Sequence, residues 1–484
     1  MKNLKDILHS IEVESIKGDI NLNIDNLSNN SNTIKANGLF IAKKGYKVDG
    51  HDFVNNAINN GAVAVVCSEN IPIPENITKI LVKDSTDVEG KIADNFYDHP
   101  SKKLKVIGIT GTNGKTTTAT LIYQLLNNLG KKAGLISTIT YKYGNVELPS
   151  INTTPDAIEL NRLLNEMWRN GCKYAIMEVS SHSIVQKRIL GINFSGAIFT
   201  NITHEHLDYH GTFENYIKAK KTFFDNLPAD AFALINIDNK NSKIMVQNTK
   251  AQVYTYGLAK MADFHARILE NTLEGLHLEI DGYDTWFLLA GKFNAYNILA
   301  AYGCTKILGY DKQDILSELS KVEPINGRFN VINNDGVYII IDYAHTPDAL
   351  ENILNTLNEI DIDGKIITVF GAGGNRDKTK RPLMGKLAAE YSDIVIITSD
   401  NPRNEDPEAI ISDIEKGVPT NLNSKVYKIT DRADAIKMAI NLANKGDVVV
   451  IAGKGHETYQ EVKGIKHHFD DKEIVFQIIN SKKQ

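Results

Sequence analysis

A chain of 484 residues, 42% apolar and 23% charged, has material for about three domains of about 150 residues and excludes a disordered or fibrous polymer. Its net charge of −5, with no long block of lysine or arginine, argues against nonspecific binding to nucleic acid or a membrane surface. Three scattered cysteines exclude a disulfide framework, the first residues lack an apolar leader core, and the longest apolar runs are strand-sized, so a cytoplasmic, monomeric enzyme without membrane insertion is expected.

Residues 1–100 read as a small mixed domain, with strands over 38–42 and 62–66, a helix over 53–61 and an Asn-rich loop over 26–32. Pro100, amid polar residues 96–101, marks a hinge. A strand over 106–110 then runs into Gly111-Thr112-Asn113-Gly114-Lys115-Thr116-Thr117, and Ala119, Leu121, Ile122, Leu125, Leu126 and Leu129 follow at helical spacing, with Gly130 as the stop. Strand, glycine-broken turn and helix come in the order a phosphate cradle requires. Glycines let backbone N–H groups approach polyphosphate oxygens, Lys115 supplies a point charge for the β/γ-phosphates, and the Thr116 hydroxyl can reach Mg2+. Ile109 stands where the standard phosphate-loop pattern has its first glycine, so this is a shorter form; the alternative is a purely structural turn.

Further along, residues 174–179 and 196–200 are buried-strand runs ending in polar clusters: Glu178, Ser180, Ser181 and His182 after the first, Asn201, His204, His206 and Asp208 after the second. Ligands collect outside the carboxyl ends of parallel strands, so both clusters should face the phosphate loop. Helical spacing over 213–224 puts Tyr216, Lys220, Phe223 and Phe224 on one face and Lys218 away from it. An ammonium on an apolar face is otherwise a snorkelling lysine. Four more strand–cluster units close the chain. Residues 338–341 lead to Asp342-Tyr343-Ala344-His345, 366–370 to Gly371-Ala372-Gly373-Gly374-Asn375-Arg376, 394–398 to Ser399-Asp400-Asn401-Pro402-Arg403, and 448–452 to Gly453-Lys454-Gly455-His456-Glu457. Helices over 348–360 and 432–443 intervene, as a parallel sheet requires. The expected fold is α/β in three domains: 1–100, a phosphate-loop ATPase domain over 101–327, and a Rossmann-like domain over 328–484.

Eight strings in order carry a resemblance over nearly the whole chain. They are residues 110–117, Asn152-Thr153-Thr154-Pro155, Glu178-Val179-Ser180-Ser181-His182, His206-Leu207-Asp208-Tyr209-His210-Gly211, residues 294–297, Asp342-Tyr343-Ala344-His345-Thr346-Pro347, Asp400-Asn401-Pro402-Arg403 and Gly453-Lys454-Gly455-His456-Glu457. The chain resembles the Mur ligases, the ATP-dependent amino-acid-adding family of peptidoglycan synthesis, and within it the branch that adds 2,6-diaminopimelate.

The resemblance implies that ATP phosphorylates the D-glutamate γ-carboxylate of UDP-N-acetylmuramoyl-L-alanyl-D-glutamate and that an amine of meso-diaminopimelate displaces the phosphate. It implies a catalytic group of Lys115, Lys220, Glu178 and His206. Mg2+ would be held by Thr116, Glu178, His206 and a CO2-derived carbamate on Lys220 (N6-carboxylysine). ATP would lie on Gly111, Thr112, Asn113, Gly114, Lys115, Thr116 and Thr117, with Asn294 and Asn297 at the adenine and Arg328 at the phosphates. The muramoyl dipeptide would meet Ser31, Thr153, Thr154, Ser180, Gln186 and Arg188; diaminopimelate would meet Arg376, Asp400, Asn401, Pro402, Arg403, Gly453 and Glu457. An arginine fork at Arg403 suits a carboxylate at the acceptor's far end, which L-lysine lacks.

Read without the family, Glu178 could be a capping carboxylate, His206 a structural histidine, residues 152–155 a turn, and Arg403 a surface partner of Glu405 or Asp406. The chain departs from the family pattern at Asn30-Ser31-Asn32, at Thr203-His204-Glu205-His206 and at Asn330. Competing functions are a ligase with L-lysine as acceptor, a folate-type glutamate ligase, and a phosphate-loop kinase or regulatory module.

Overall fold

The computed structural model describes residues 1–45, 48–203, 205–360 and 362–482, with only the backbone of Asp208 and Lys482; His204, singled out above, lies outside the described residues. Among the described residues the strands form three principal sheets of five, eleven and six strands.

The first sheet runs in the order Ser15–Lys17, Thr78–Leu81, Ala62–Cys67, Gly38–Ile41, Asn26–Ser28, parallel except for the first strand. The innermost strands carry β-branched and small apolar residues buried on both faces, as a covered parallel sheet demands. Asn26–Ser28 corrects the expected loop over 26–32. Leu27 points into the core, while the Asn26 side chain bonds the carbonyls of Lys35 and Ala36, so polar composition there hides a buried edge. The expected hinge forms a sharp exit: the helix Ser85–Phe96 ends, and Asp98 and His99 take positive φ before the short turn Pro100–Lys102.

The central sheet has a parallel core in the order Ala133–Ile136, Tyr174–Glu178, Lys105–Thr110, Phe194–Phe199, Phe232–Asn236, Gln252–Gly257, Phe264–Thr272. Antiparallel strands extend both edges: Thr140–Tyr143 with Val146–Pro149 on one side, Gly275–Ile280 with Tyr283–Phe287 on the other. The helix Lys115–Asn128 buries Ala119, Leu121, Ile122, Leu125 and Leu126 against one face, together with the helix Lys292–Ile307. The other face is covered by the helices Ala157–Arg169 and Phe213–Asp225. Glu178 pairs in register with Ile109, and Phe199 with Thr110, so the polar clusters after all three strands emerge side by side around Gly111.

The third sheet runs Asn330–Asn334, Val337–Asp342, Val448–Ala452, Ile366–Phe370, Ile394–Ile397, Val426–Lys428, parallel after the antiparallel first strand. Inserting Val448–Ala452 between earlier strands brings the segment from Gly453 beside both Asp342 and Gly371 at one sheet edge. A hairpin, Tyr459–Val462 with Ile465–His468, lies beyond that edge. No helix among the described residues is long and apolar enough to cross a membrane.

Candidate active site

The phosphate loop takes its form from Gly114, whose φ of 84° belongs to the left-handed region and where a Cβ would meet Asn297 Oδ1 at 2.6 Å. The helix that follows begins at Lys115, so its unpaired N–H groups and positive dipole end face the loop. Lys115 folds over the loop, donating to the carbonyls of Gly111 at 3.0 Å and Thr112 at 2.8 Å. Thr116 Oγ1 donates to Glu178 Oε1 at 2.9 Å, and the same carboxylate accepts from the Thr138 backbone N–H at 2.7 Å. Glu178 is fully buried. Its carboxylate partners, Thr116 and Thr138, lie on two separate segments, which makes it the floor of the site rather than a helix cap.

Lys220 is 1% exposed and donates to the same Gly111 carbonyl at 2.8 Å. Its expected face is observed: Tyr216, Lys220, Phe223 and Phe224 are buried along the helix Phe213–Asp225, and Lys218 is exposed. Burial, then repulsion from Lys115, drives the Lys220 amine well below its ordinary value, with Glu205 opposing. Burial also lowers Lys115, opposed by Glu205 and Glu178. Lys220 lies 4.7 Å from the Tyr216 ring, whose hydroxyl pairs with Thr112 Oγ1 at 3.1 Å. His206 takes a left-handed backbone at the start of the short helix Leu207–His210, its ring 4.8 Å from His182 and 6.2 Å from Tyr216. Its imidazole is 41% exposed, and Glu205 lies 3.7 Å away. A hydroxyl and a buried carboxylate are hard oxygen donors of the kind Mg2+ takes, so the residues fit that ion.

Arg328 donates to Thr116 Oγ1 at 3.3 Å and lies 4.7 Å over the Tyr343 ring, while its buried Nε has no partner among the described residues. Asn294 and Asn297 are buried; Asn297 donates to Asn294 Oδ1 at 2.9 Å and accepts from Thr118 Oγ1 at 3.2 Å. Sequence reading missed Asp348, whose carboxylate accepts from the Asn113 side chain at 2.6 Å and from Thr203 Oγ1 at 2.9 Å. It directly follows one of the eight strings, the only local signal it offered.

Four of the expected donor-binding residues form one knot. Thr154 Oγ1 donates to the Glu178 carbonyl at 2.8 Å and accepts the Ser180 N–H at 3.1 Å. Arg188 donates to the Thr154 carbonyl at 2.8 Å and, from two nitrogens, to Gln186 Oε1 at 2.9 and 2.6 Å. Thr153 joins through Thr138 at 3.1 Å. Ser31 stands apart in the first sheet's unit, held by Asn56 and Asn60.

The acceptor cluster assembles at the third sheet's edge. Asp400 is buried with Oδ2 unpartnered among the described residues, and a Cβ on Gly453 (φ 117°) would lie 2.6 Å from that oxygen. Asn401 donates to Glu457 Oε2 at 2.8 Å and accepts from the fully buried Lys454 at 3.3 Å. Burial, then Asp400, raises Glu457. Arg403 holds φ of 51°, a strain of about 1 kcal/mol for a residue with a Cβ. Its N–H bonds the Glu461 carbonyl at 2.9 Å and its own carbonyl accepts the Lys463 N–H at 2.7 Å, which fixes it there. The guanidinium reaches the Gly374 carbonyl at 2.8 Å and Glu461 at 3.2 Å. The ion-pair partner is thus Glu461, not Glu405 or Asp406; Glu405 is taken by Arg381 and Lys378. Arg376 stands exposed at the rim, with Pro402 closed over Gly374. Lys454 and Glu461 were missed: the first sat inside a quoted string, and the second carried no signal at all.

Family models match the Mur ligase catalytic domain over residues 23–97, the Mur ligase middle domain over 109–305 and the Mur ligase glutamate ligase domain over 327–455. A Bacteroides thetaiotaomicron protein named UDP-N-acetylmuramoyl-L-alanyl-D-glutamate--2,6-diaminopimelate ligase is 50% identical over 483 residues, 99% of this chain and 100% of that protein. One of the same name from Phocaeicola vulgatus is 51% identical over 477 residues, 98% of each. A solved structure of a ligase so named is 32% identical, with a TM-score of 0.71, covering 100% of this chain and 99% of that one. The fold is shared more widely: MurF from Acinetobacter baumannii has a TM-score of 0.68 at 18% identity over 99% and 98% of the two chains. A phosphate loop floored by a buried glutamate, facing an acidic and basic cluster on a separate sheet, thus comes with full-length relatives at half identity, and the chain belongs to the Mur ligase family.

Proposed function

We propose that this chain joins 2,6-diaminopimelate, in its meso form, to the D-glutamate γ-carboxylate of UDP-N-acetylmuramoyl-L-alanyl-D-glutamate in the cytoplasm, using ATP. The observation that carries the reading is the convergence of Lys115 and Lys220 on the one carbonyl of Gly111, beside the Thr116–Glu178 pair. Two amines brought to one oxygen in a buried place favour anions lying beside them. The full-length relatives of that name support the choice of substrates.

A carboxylate is a poor electrophile, so its oxygen takes the γ-phosphoryl group of ATP, ADP departs, and the acyl phosphate carries phosphate as leaving group. The acceptor amine attacks the carbonyl carbon, loses a proton, and phosphate leaves. Catalysis rests on position and on neutralising charge. Loop N–H groups of residues 111–117 and the Lys115 ammonium take the phosphates; Arg328, already at Thr116, adds a second cation. Asn294 and Asn297 form the wall toward the adenine. Thr116, Glu178, His206 and a carbamate on Lys220 would hold Mg2+, and that ion would supply positive charge to offset the negative charge of the transferring group. Thr153, Thr154, Ser180, Gln186 and Arg188 seat the muramoyl peptide, with Ser31 at the uracil end. Asp400, with its free oxygen, and Glu457 receive ammonium groups of the acceptor; the Arg403 fork and Arg376 take its far carboxylate, with Asn401, Pro402 and Gly453 shaping the walls. The units divide near residues 100 and 327.

Phosphate release measured with the UDP-dipeptide and, in turn, meso-diaminopimelate, L-lysine and glutamate tests this. Turnover is expected with diaminopimelate at least about tenfold above lysine in kcat/KM, the value of one charge-assisted contact. Equal rates with lysine would contradict the acceptor assignment.

A further inference from the structure

We infer that Asp348 is a positioning residue that latches the third sheet's unit onto the phosphate loop, so that the acceptor amine meets the activated carboxyl group. The inference rests on the ligase reading above and names the group that couples its two halves.

Asp348 lies in the first turn of the helix Pro347–Glu359, which follows the strand Val337–Asp342 of the third sheet. It is not needed as that helix's cap: Thr346 fills the role, accepting the Ala349 N–H at 3.3 Å. Instead one oxygen, Oδ2, accepts across to the central unit from Asn113 at 2.6 Å and Thr203 at 2.9 Å, and within its own helix from Asn352 at 3.2 Å. Asn113 belongs to the phosphate loop, and Thr203 to the segment after the strand Phe194–Phe199 that packs against the loop. The Asn113 N–H is held by Asn201 Oδ1 at 2.9 Å, and the Thr203 N–H by Thr112 Oγ1 at 3.0 Å. A single carboxylate oxygen therefore ties the phosphate loop and the segment packed against it to the unit that carries Asp400, Arg403 and Glu457. The positive end of its own helix offsets its charge, which makes an acid tolerable beside a polyphosphate site.

The two reacting groups come from different sheets, and small misplacement of either one is costly in rate. The latch should therefore act on turnover more than on nucleotide affinity. The test is a double-mutant cycle in the full chain: Asp348→Ala, Thr203→Val and the pair, with Asp348→Asn, isosteric and so free of any cavity, read in the same cycle. Each single change is expected to lower kcat by about five- to tenfold with the KM for ATP within about threefold, and the pair to be no worse than the more damaging single change. Losses that multiply in the pair, or a kcat for Asp348→Ala within about twofold of the unaltered chain, would overturn the latch. Failure of the unaltered chain to turn over with every acceptor would instead overturn the ligase reading.

Discussion

Two amines meet one carbonyl oxygen at Gly111, and this shapes the chemistry of Lys220. Burial, and then the neighbouring Lys115, hold the proton affinity of the Lys220 amine well below its ordinary value, which favours the neutral form that carbamylation needs. On the proposed reading that amine attacks CO2: the C–N bond forms, a proton leaves nitrogen, and the carbamate anion that remains would sit beside Lys115. Lys220→Ala is accordingly expected to lower kcat by at least about a hundredfold, the scale of removing one preorganised charge from a phosphoryl-transfer site. Acetate or formate in the assay should recover part of the loss, by placing a carboxylate in the vacated space. Absence of any recovery would count against the carbamate. The burial of Lys220 was legible from helical spacing alone, because Tyr216, Phe223 and Phe224 share its face. Its partner, the Gly111 carbonyl, was not, since 109 residues separate the two and only the sheet register joins them.

At the scale of elements, the loop carrying Arg403 depends on an anchor made elsewhere. Arg381, buried in the helix Lys380–Tyr391, holds Glu405 and Asp413, and Glu405 accepts the Asn375 N–H as well. The Arg381 hydrogen bond is the main cause that lowers Glu405 to about 2 from its ordinary 4.5. A carboxylate whose folded value is depressed contributes stability that is present above its unfolded value and is lost as pH falls toward the folded one. The window is therefore about 4.5 down to about 2. Glu405→Gln should melt at lower temperature than the unaltered chain at pH 6, and the gap should narrow as pH drops below 4.5. A gap constant from pH 6 to 3.5 would show that the anchor is not electrostatic. The parallel strands were readable because each is a buried apolar run ending in a polar cluster: Ile366–Phe370 and Val448–Ala452 fall where the runs lie. The hairpin Tyr459–Val462 and Ile465–His468 was not readable. Ile465–His468 is exposed throughout and Tyr459–Val462 half-buried throughout, so neither shows the alternation that marks a half-buried ribbon, and the hairpin is secured by contacts to Arg403.

Across the whole molecule, the proposed reaction draws on three sheets, with the groups assigned to it on the loops at the carboxyl ends of their parallel strands. Sequence spacing placed each cluster after its strand, but which clusters meet is set by strand order. Val448–Ala452 is last in its sheet's parallel run by sequence yet sits between Val337–Asp342 and Ile366–Phe370, which is why Gly453 presses on Asp400 and why Gly327, with φ of 68°, packs against Gly455. Contacts such as Asn113 to Asp348 exist only once separate sheets are docked, so no local pattern announces them. The central claim is that the phosphate loop delivers the γ-phosphoryl group to the donor's carboxylate before any amine attacks. Turnover of a UDP-dipeptide labelled with 18O in its γ-carboxylate measures this directly. One labelled oxygen should appear in each inorganic phosphate released; phosphate free of label would mean that the carboxylate is never phosphorylated.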